Sequence, residues 1–169
     1  AEDDKIAWYE NDGNQNFTER VVSSAAEQAN TVFTMDVDGD GDLDFLSTSS
    51  LNNKLVWYEN DGNQNFTEHV LSSSASGAMD VYAVDLDGDG DLDIVMSVRD
   101  GIAPQIWLNN GTGSFVPGQE FGNPFDMVWD VAMGDLDGDG WLDGLFAGLG
   151  GGVGLRSDGF GALEVSESF

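Results

Sequence analysis

The chain has 169 residues, with 32 acidic against 5 basic side chains, a formal charge of −27 and no cysteine. So strong a negative field excludes nucleic acid and direct docking on anionic lipid, and disulfides cannot staple the fold. No apolar run approaches the length of a membrane span, so membrane insertion is not expected.

The acidic opening AEDDK does not read as a signal peptide, so either a leader has been removed or the chain is a piece of a longer one. Residues 6–24, IAWYENDGNQNFTERVVSS, read as two strands joined at the NDG of 11–13, a hairpin-turn signal. SSAAEQAN (23–30) is too short for a helix and reads as a connector. An acidic run follows at 36–44, and the hairpin then returns at 55–73 with 15 of 19 positions identical. In the next unit a strand at 81–84 leads into a second acidic run. Strands at 94–97 and 105–108, the Asn110-Gly111 turn and a strand from Phe115 follow it. A third acidic run opens the last unit, which closes on GLRSDGFGAL at 154–163.

Phe17, Phe66, Phe115 and Leu163 are spaced by 49, 49 and 48 residues. This period, with four short strands per unit, predicts an all-β fold of β-propeller blades, each of four antiparallel strands. The units are a half blade at 1–27, carrying strands three and four, and blades at 28–75, 76–124 and 125–169. Three and a half blades fall short of the roughly four to eight that close a ring. The expectation is a piece of a longer propeller, with completion by neighbouring copies as the alternative.

The acidic runs are DVDGDGDLD (36–44), DLDGDGDLD (85–93) and DLDGDGWLD (135–143). Carboxylates ~5 Å apart repel by roughly 3 kcal/mol at an effective dielectric near 20, so such a cluster calls for a counter-charge. Glycines at positions four and six let the backbone turn tightly, and acidic groups at alternate positions then form a cage for a hard cation. Oxygen-only donors favour calcium. The Asp positions common to all three loops are one, three, five and nine. They are Asp36, Asp38, Asp40 and Asp44; Asp85, Asp87, Asp89 and Asp93; and Asp135, Asp137, Asp139 and Asp143. Position seven is Asp42, Asp91 and Trp141. An indole cannot bind calcium, so equivalent sites require position seven to offer its main-chain carbonyl. An EF-hand is excluded, because position twelve is Ser47, Met96 and Phe146 where that motif needs Glu.

Other chemistry is sparse. His69 is the only histidine and its repeat counterpart is Arg20, so it reads as a strand-surface residue. Nucleophile–base triads are unavailable, and repeat equivalence explains Glu10 and Glu59 better than a glycosidase pair does. Trp8, Tyr9, Trp57, Tyr58 and Trp107 are expected between neighbouring blades rather than stacked on sugars. Asn16, Asn65 and Asn110 each open a glycosylation sequon.

The acidic loops, each followed by an apolar strand and a WYENDG-type hairpin, resemble the FG-GAP/VCBS-like β-propeller repeats of integrin α-subunit heads and large secreted bacterial proteins. The resemblance covers essentially the whole chain, although the literal Phe-Gly and Gly-Ala-Pro signatures are absent. It implies that the loop joins the first and second strands of a blade and holds calcium. The expected function is a calcium-binding, non-enzymatic module, extracellular or on the cell surface, serving adhesion, recognition or a structural role. Its expected partners are three calcium ions, the rest of a propeller or other copies of the chain, and a carbohydrate or protein ligand. The alternatives are a self-assembling extracellular filament subunit and a non-catalytic scaffold segment of a secreted polysaccharide-acting enzyme.

Overall fold

The computed structural model describes residues 4–99, 104–118, 127–149, 151–157 and 163–168. The parts of the predicted units at 1–3, 100–103, 119–126, 150, 158–162 and 169 lie outside these residues. A two-stranded hairpin comes first, β1 (Ile6–Asn11) with β2 (Phe17–Ser23). Three four-stranded antiparallel meanders follow. The first contains β3 (Ala29–Met35), β4 (Asp44–Ser49), β5 (Lys54–Asn60) and β6 (Phe66–Ser72). The second contains β7 (Ala78–Val84), β8 (Asp93–Val98), β9 (Gln105–Asn109) and β10 (Phe115–Pro117). The third contains β11 (Met127–Gly134), β12 (Asp143–Leu149), β13 (Gly151–Ser157) and β14 (Leu163–Ser168). Among the described residues there is no helix.

The two-residue period of a strand explains how the sheets stack. On β5, Leu55 and Trp57 face forward into a core shared with Ile94, Met96 and Trp107 of the next sheet. The alternate residues Val56 and Tyr58 face backward onto Ile6 and Ala26 of the hairpin unit. Val95 and Ile106 repeat the forward contact, against Val128, Val131 and Phe146. Inner strands covered on both faces cannot alternate apolar and polar, and all six residues of β8 are buried. Trp57, Tyr58 and Trp107 are only 4, 4 and 9 % exposed. At ~25 cal/mol per Å2, each contributes about 4–6 kcal/mol as an upper limit. The first strands β3, β7 and β11 adjoin one another on the inside, while β2, β6 and β10, none of whose residues is buried, lie outside. Four-stranded sheets stacked face to face with the first strand innermost are propeller blades.

Among the described residues the stack is open at both ends. On the outer face of the hairpin Tyr9 is 58 % and Phe17 63 % exposed, so the expectation that a neighbouring blade covers Tyr9 does not hold in this chain. At the far end Leu136 is 64 % and Leu145 41 % exposed. The hairpin turns also differ from the two-residue type. Asp12 N–H bonds to Asn16 O and Asp61 N–H to Asn65 O, each closing a five-residue loop. The Asp12 carboxylate accepts the amide of Asn14 at 2.7 Å and the side-chain Nδ2 of Asn16 at 2.8 Å. This internal cap, repeated by Asp61, outcompetes a tight turn.

Candidate metal centres

Each acidic run joins the first strand of a blade to its second, at β3–β4, β7–β8 and β11–β12. The carboxylates first order the loop's own backbone. At position one, Asp36 accepts the amides of Gly39 and Gly41, Asp85 those of Gly88 and Gly90, and Asp135 those of Gly138 and Gly140. Both glycines have φ between 75 and 98°, a left-handed conformation that other residues resist. At position three, Oδ1 of Asp38, Asp87 and Asp137 accepts the position-five amide. At position five, Oδ1 of Asp40, Asp89 and Asp139 accepts the position-seven amide. The Oδ2 atoms of positions three and five take no part in this ladder.

Position nine is a clasp as well as a carboxylate. Asp44, Asp93 and Asp143 are 0, 0 and 3 % exposed. Asp93 Oδ2 accepts Leu86 N and Oδ1 accepts Asn109 N, both at 2.8 Å. Asp44 does the same with Val37 and Asn60. Burial pushes the Asp93 carboxyl up to about 6 against these two amides, with the charges of Asp87 and Asp89 adding to the rise. Burial likewise raises Asp44, and it raises Asp38 and Asp87 despite the amides of Asp40 and Asp89. For Asp38 the charges of Asp40, Glu59 and Asp36 contribute further.

The predicted ligands are not all brought equally close. Asp36, Asp38 and Asp40 converge in the first loop, Asp85, Asp87 and Asp93 in the second, and Asp135, Asp137 and Asp143 in the third, with oxygens within 4.8 Å of one another. Asp44, Asp89 and Asp139 stand outside these triplets, and like the triplet members they accept backbone amides. The side chains at position seven turn elsewhere. A Cβ at Gly62 would run into the Asp42 carboxylate, and one at Gly111 into that of Asp91. The Trp141 ring lies over Gly88 of the preceding loop. The donors are oxygen-only and carboxylate-rich on a glycine-turned backbone, so the residues fit a hard cation of calcium type.

His69 stacks on Trp57 at 4.5 Å and bonds to Glu59 Oε2 at 2.6 Å, as Arg20 does to Glu10 at 2.7 Å. Both are strand-surface pairs. The sequon residues Asn16 and Asn65 donate Nδ2 to Asp12 and Asp61, while Asn110 Oδ1 accepts from Thr112. Sequence reasoning missed two participants. Asn109 donates Nδ2 to Val37 O of the preceding loop at 2.8 Å and to Leu92 O of its own at 3.2 Å. Arg156 Nη2 lies 2.7 Å from Asp137 Oδ2. No local motif signals either one.

The family model described as FG-GAP-like repeat matches residues 1–47, 36–96 and 98–146. The chain belongs to the FG-GAP-like repeat family. Each of these repeat matches takes in an acidic loop, so the loop is an integral part of the FG-GAP-like unit here. A comparison with curated proteins found no match. Among solved structures, this FG-GAP-like chain is similar to a lectin of Agrocybe aegerita described as specifically recognising non-reducing terminal N-acetylglucosamine. The TM-score is 0.67 at 21% identity, over 98% of this chain and 46% of that one. The likeness is one of fold, and the chain spans less than half the length of that lectin.

Proposed function

We propose that the chain is a calcium-binding β-propeller module, acting outside the cytoplasm in recognition of a carbohydrate or protein ligand, without catalysis of its own. The observation that carries this reading is the threefold recurrence of one loop in which three carboxylate oxygens approach within 4.8 Å. In the proposed sites the carboxylates of positions one, three, five and nine face the ion, together with the main-chain carbonyl of Asp42, Asp91 or Trp141. The turned-away side chains at position seven support the carbonyl assignment. An ion bound only by the native chain stabilises it by about 2.7 kcal/mol per site at a hundredfold excess over Kd. The recognition role is supported by the fold shared with the lectin.

The test is a thermal melt in chelator, in calcium and in magnesium, paired with a glycan array that includes terminal N-acetylglucosamine. A Tm raised by calcium and little by magnesium is expected, and an unchanged Tm would overturn the calcium reading. A blank array across all glycans would remove the carbohydrate part. Assembly of copies is a second reading, favoured by the open apolar faces at both ends of the stack.

A further inference from the structure

The three loops share one ladder, but the strand across from each presents a different charge. By strand register, Phe45 pairs with Tyr58, Ile94 with Trp107 and Gly144 with Leu155. The next residue along the third strand, beside the loop, is therefore Glu59, Leu108 and Arg156 in the three blades. Glu59 lies close enough for its charge to act on Asp38. Leu108 packs into the apolar core between the second and third blades. Arg156 makes an ion pair with Asp137 Oδ2, the oxygen that the loop's own ladder leaves free, since Asp139 N–H uses Oδ1.

We propose that Arg156 makes the third loop the weakest of the three cation sites, by holding the free oxygen of Asp137 that an incoming ion needs. The inference rests on the calcium reading above. A divalent ion entering the third loop must displace the guanidinium or bind with one carboxylate oxygen fewer, and in either case it meets a positive charge at close range. The second loop meets only hydrocarbon at this place, and the first meets a further carboxylate. The pair is solvent-exposed on its Arg156 side, with 59 % side-chain exposure, so the effect is graded rather than absolute. An exposed ion pair of this kind corresponds to about a fivefold change in affinity. The third site would then fill last, as calcium rises past the level that saturates the other two.

Calcium titration followed by amide NMR resolves the loops separately. The amides of Gly41, Gly90 and Gly140 each bond to the position-one carboxylate of their own loop. In the native chain, Gly140 is expected to shift last. Arg156→Leu, which installs the residue the second blade already carries, should bring Gly140 forward by about fivefold, and Leu108→Arg should delay Gly90 similarly. Arg156→Gln keeps a polar group on the strand and should also bring Gly140 forward. Gly140 moving together with Gly41 and Gly90 in the native chain would overturn the proposal, as would folded Arg156 variants with an unchanged Gly140 midpoint. If none of the three amides responds to calcium, the calcium reading itself falls, and this inference with it.

Discussion

Asp93 Oδ1 accepts the main-chain amide of Asn109 at 2.8 Å, although the two residues are 16 apart in sequence. Its other oxygen accepts Leu86 N, so one fully buried carboxylate ties the acidic loop to the third strand of its blade. Asp93→Ala strands two buried amides and opens a small cavity. The expected loss is about 3 kcal/mol of unfolding free energy, measured by urea titration in chelator so that metal plays no part. An equal loss for the exposed Asp89→Ala would contradict the clasp.

Position five and position seven should separate in calcium binding. Asp89→Ala removes a carboxylate whose Oδ2 is free of the backbone ladder, and the second site should weaken by at least about tenfold. Asp91→Ala removes a side chain that lies against Gly111, leaving its carbonyl in place, and should cost about twofold or less through lost charge. Isothermal titration of the two variants decides the matter. Equal losses would mean that Asp91 binds through its carboxylate.

Asp80 supplies a pH dependence away from the loops. Burial raises its carboxyl above the ordinary value of 3.8 against the Val81 amide, and the facing Asp130 of the next blade raises it further, with Thr31 opposing. A group with a raised folded pKa binds more protons in the fold than when unfolded. Its contribution to stability is therefore fully present below the unfolded value and is lost as pH rises through the folded one. Asp80→Asn removes that loss. After solvent screening, the variant should melt about 1–2 °C higher at neutral pH, the gain vanishing near about pH 4. A constant gain at every pH would point to packing instead.

The open ends predict self-association of the chain produced alone. Val37 and Leu86, at position two of the first two loops, are 2 and 1 % exposed and plug into the next blade, whereas their counterpart Leu136 is 64 % exposed. Tyr9 and Phe17 present the matching outer face at the other end. A head-to-tail contact of these faces repeats the contact used inside the chain. Light scattering should report oligomers at high concentration, reduced by Phe17→Ser with Leu136→Ser. A native chain that stays monomeric would refute this.

The sequence alone determined the repeat, the blade type and the acidic loops. Those signals are local: a nine-residue motif, a strand period of two and a turn residue each lie within one short stretch of chain. The face each inner-strand side chain takes was not legible there. QIWLNN aligns by eye with VWYEN through its tryptophan, yet the register sets Trp107 opposite Ile94, in the place of Tyr58 opposite Phe45. The hairpin loops are equally long, with Asn60 pairing Phe66 and Asn109 pairing Phe115, so it is the tryptophan that sits one place later along the strand, and a shift of one reverses the face of a side chain. Trp107 therefore faces back into the core it shares with Trp57, while Ile106 takes the forward face. Tertiary structure alone likewise brought Arg156 to Asp137, clasped Asp93 to Asn109 and turned Trp141 over Gly88. Each of these contacts joins residues on different strands or different blades, so which of them meet depends on how the sheets pair and stack.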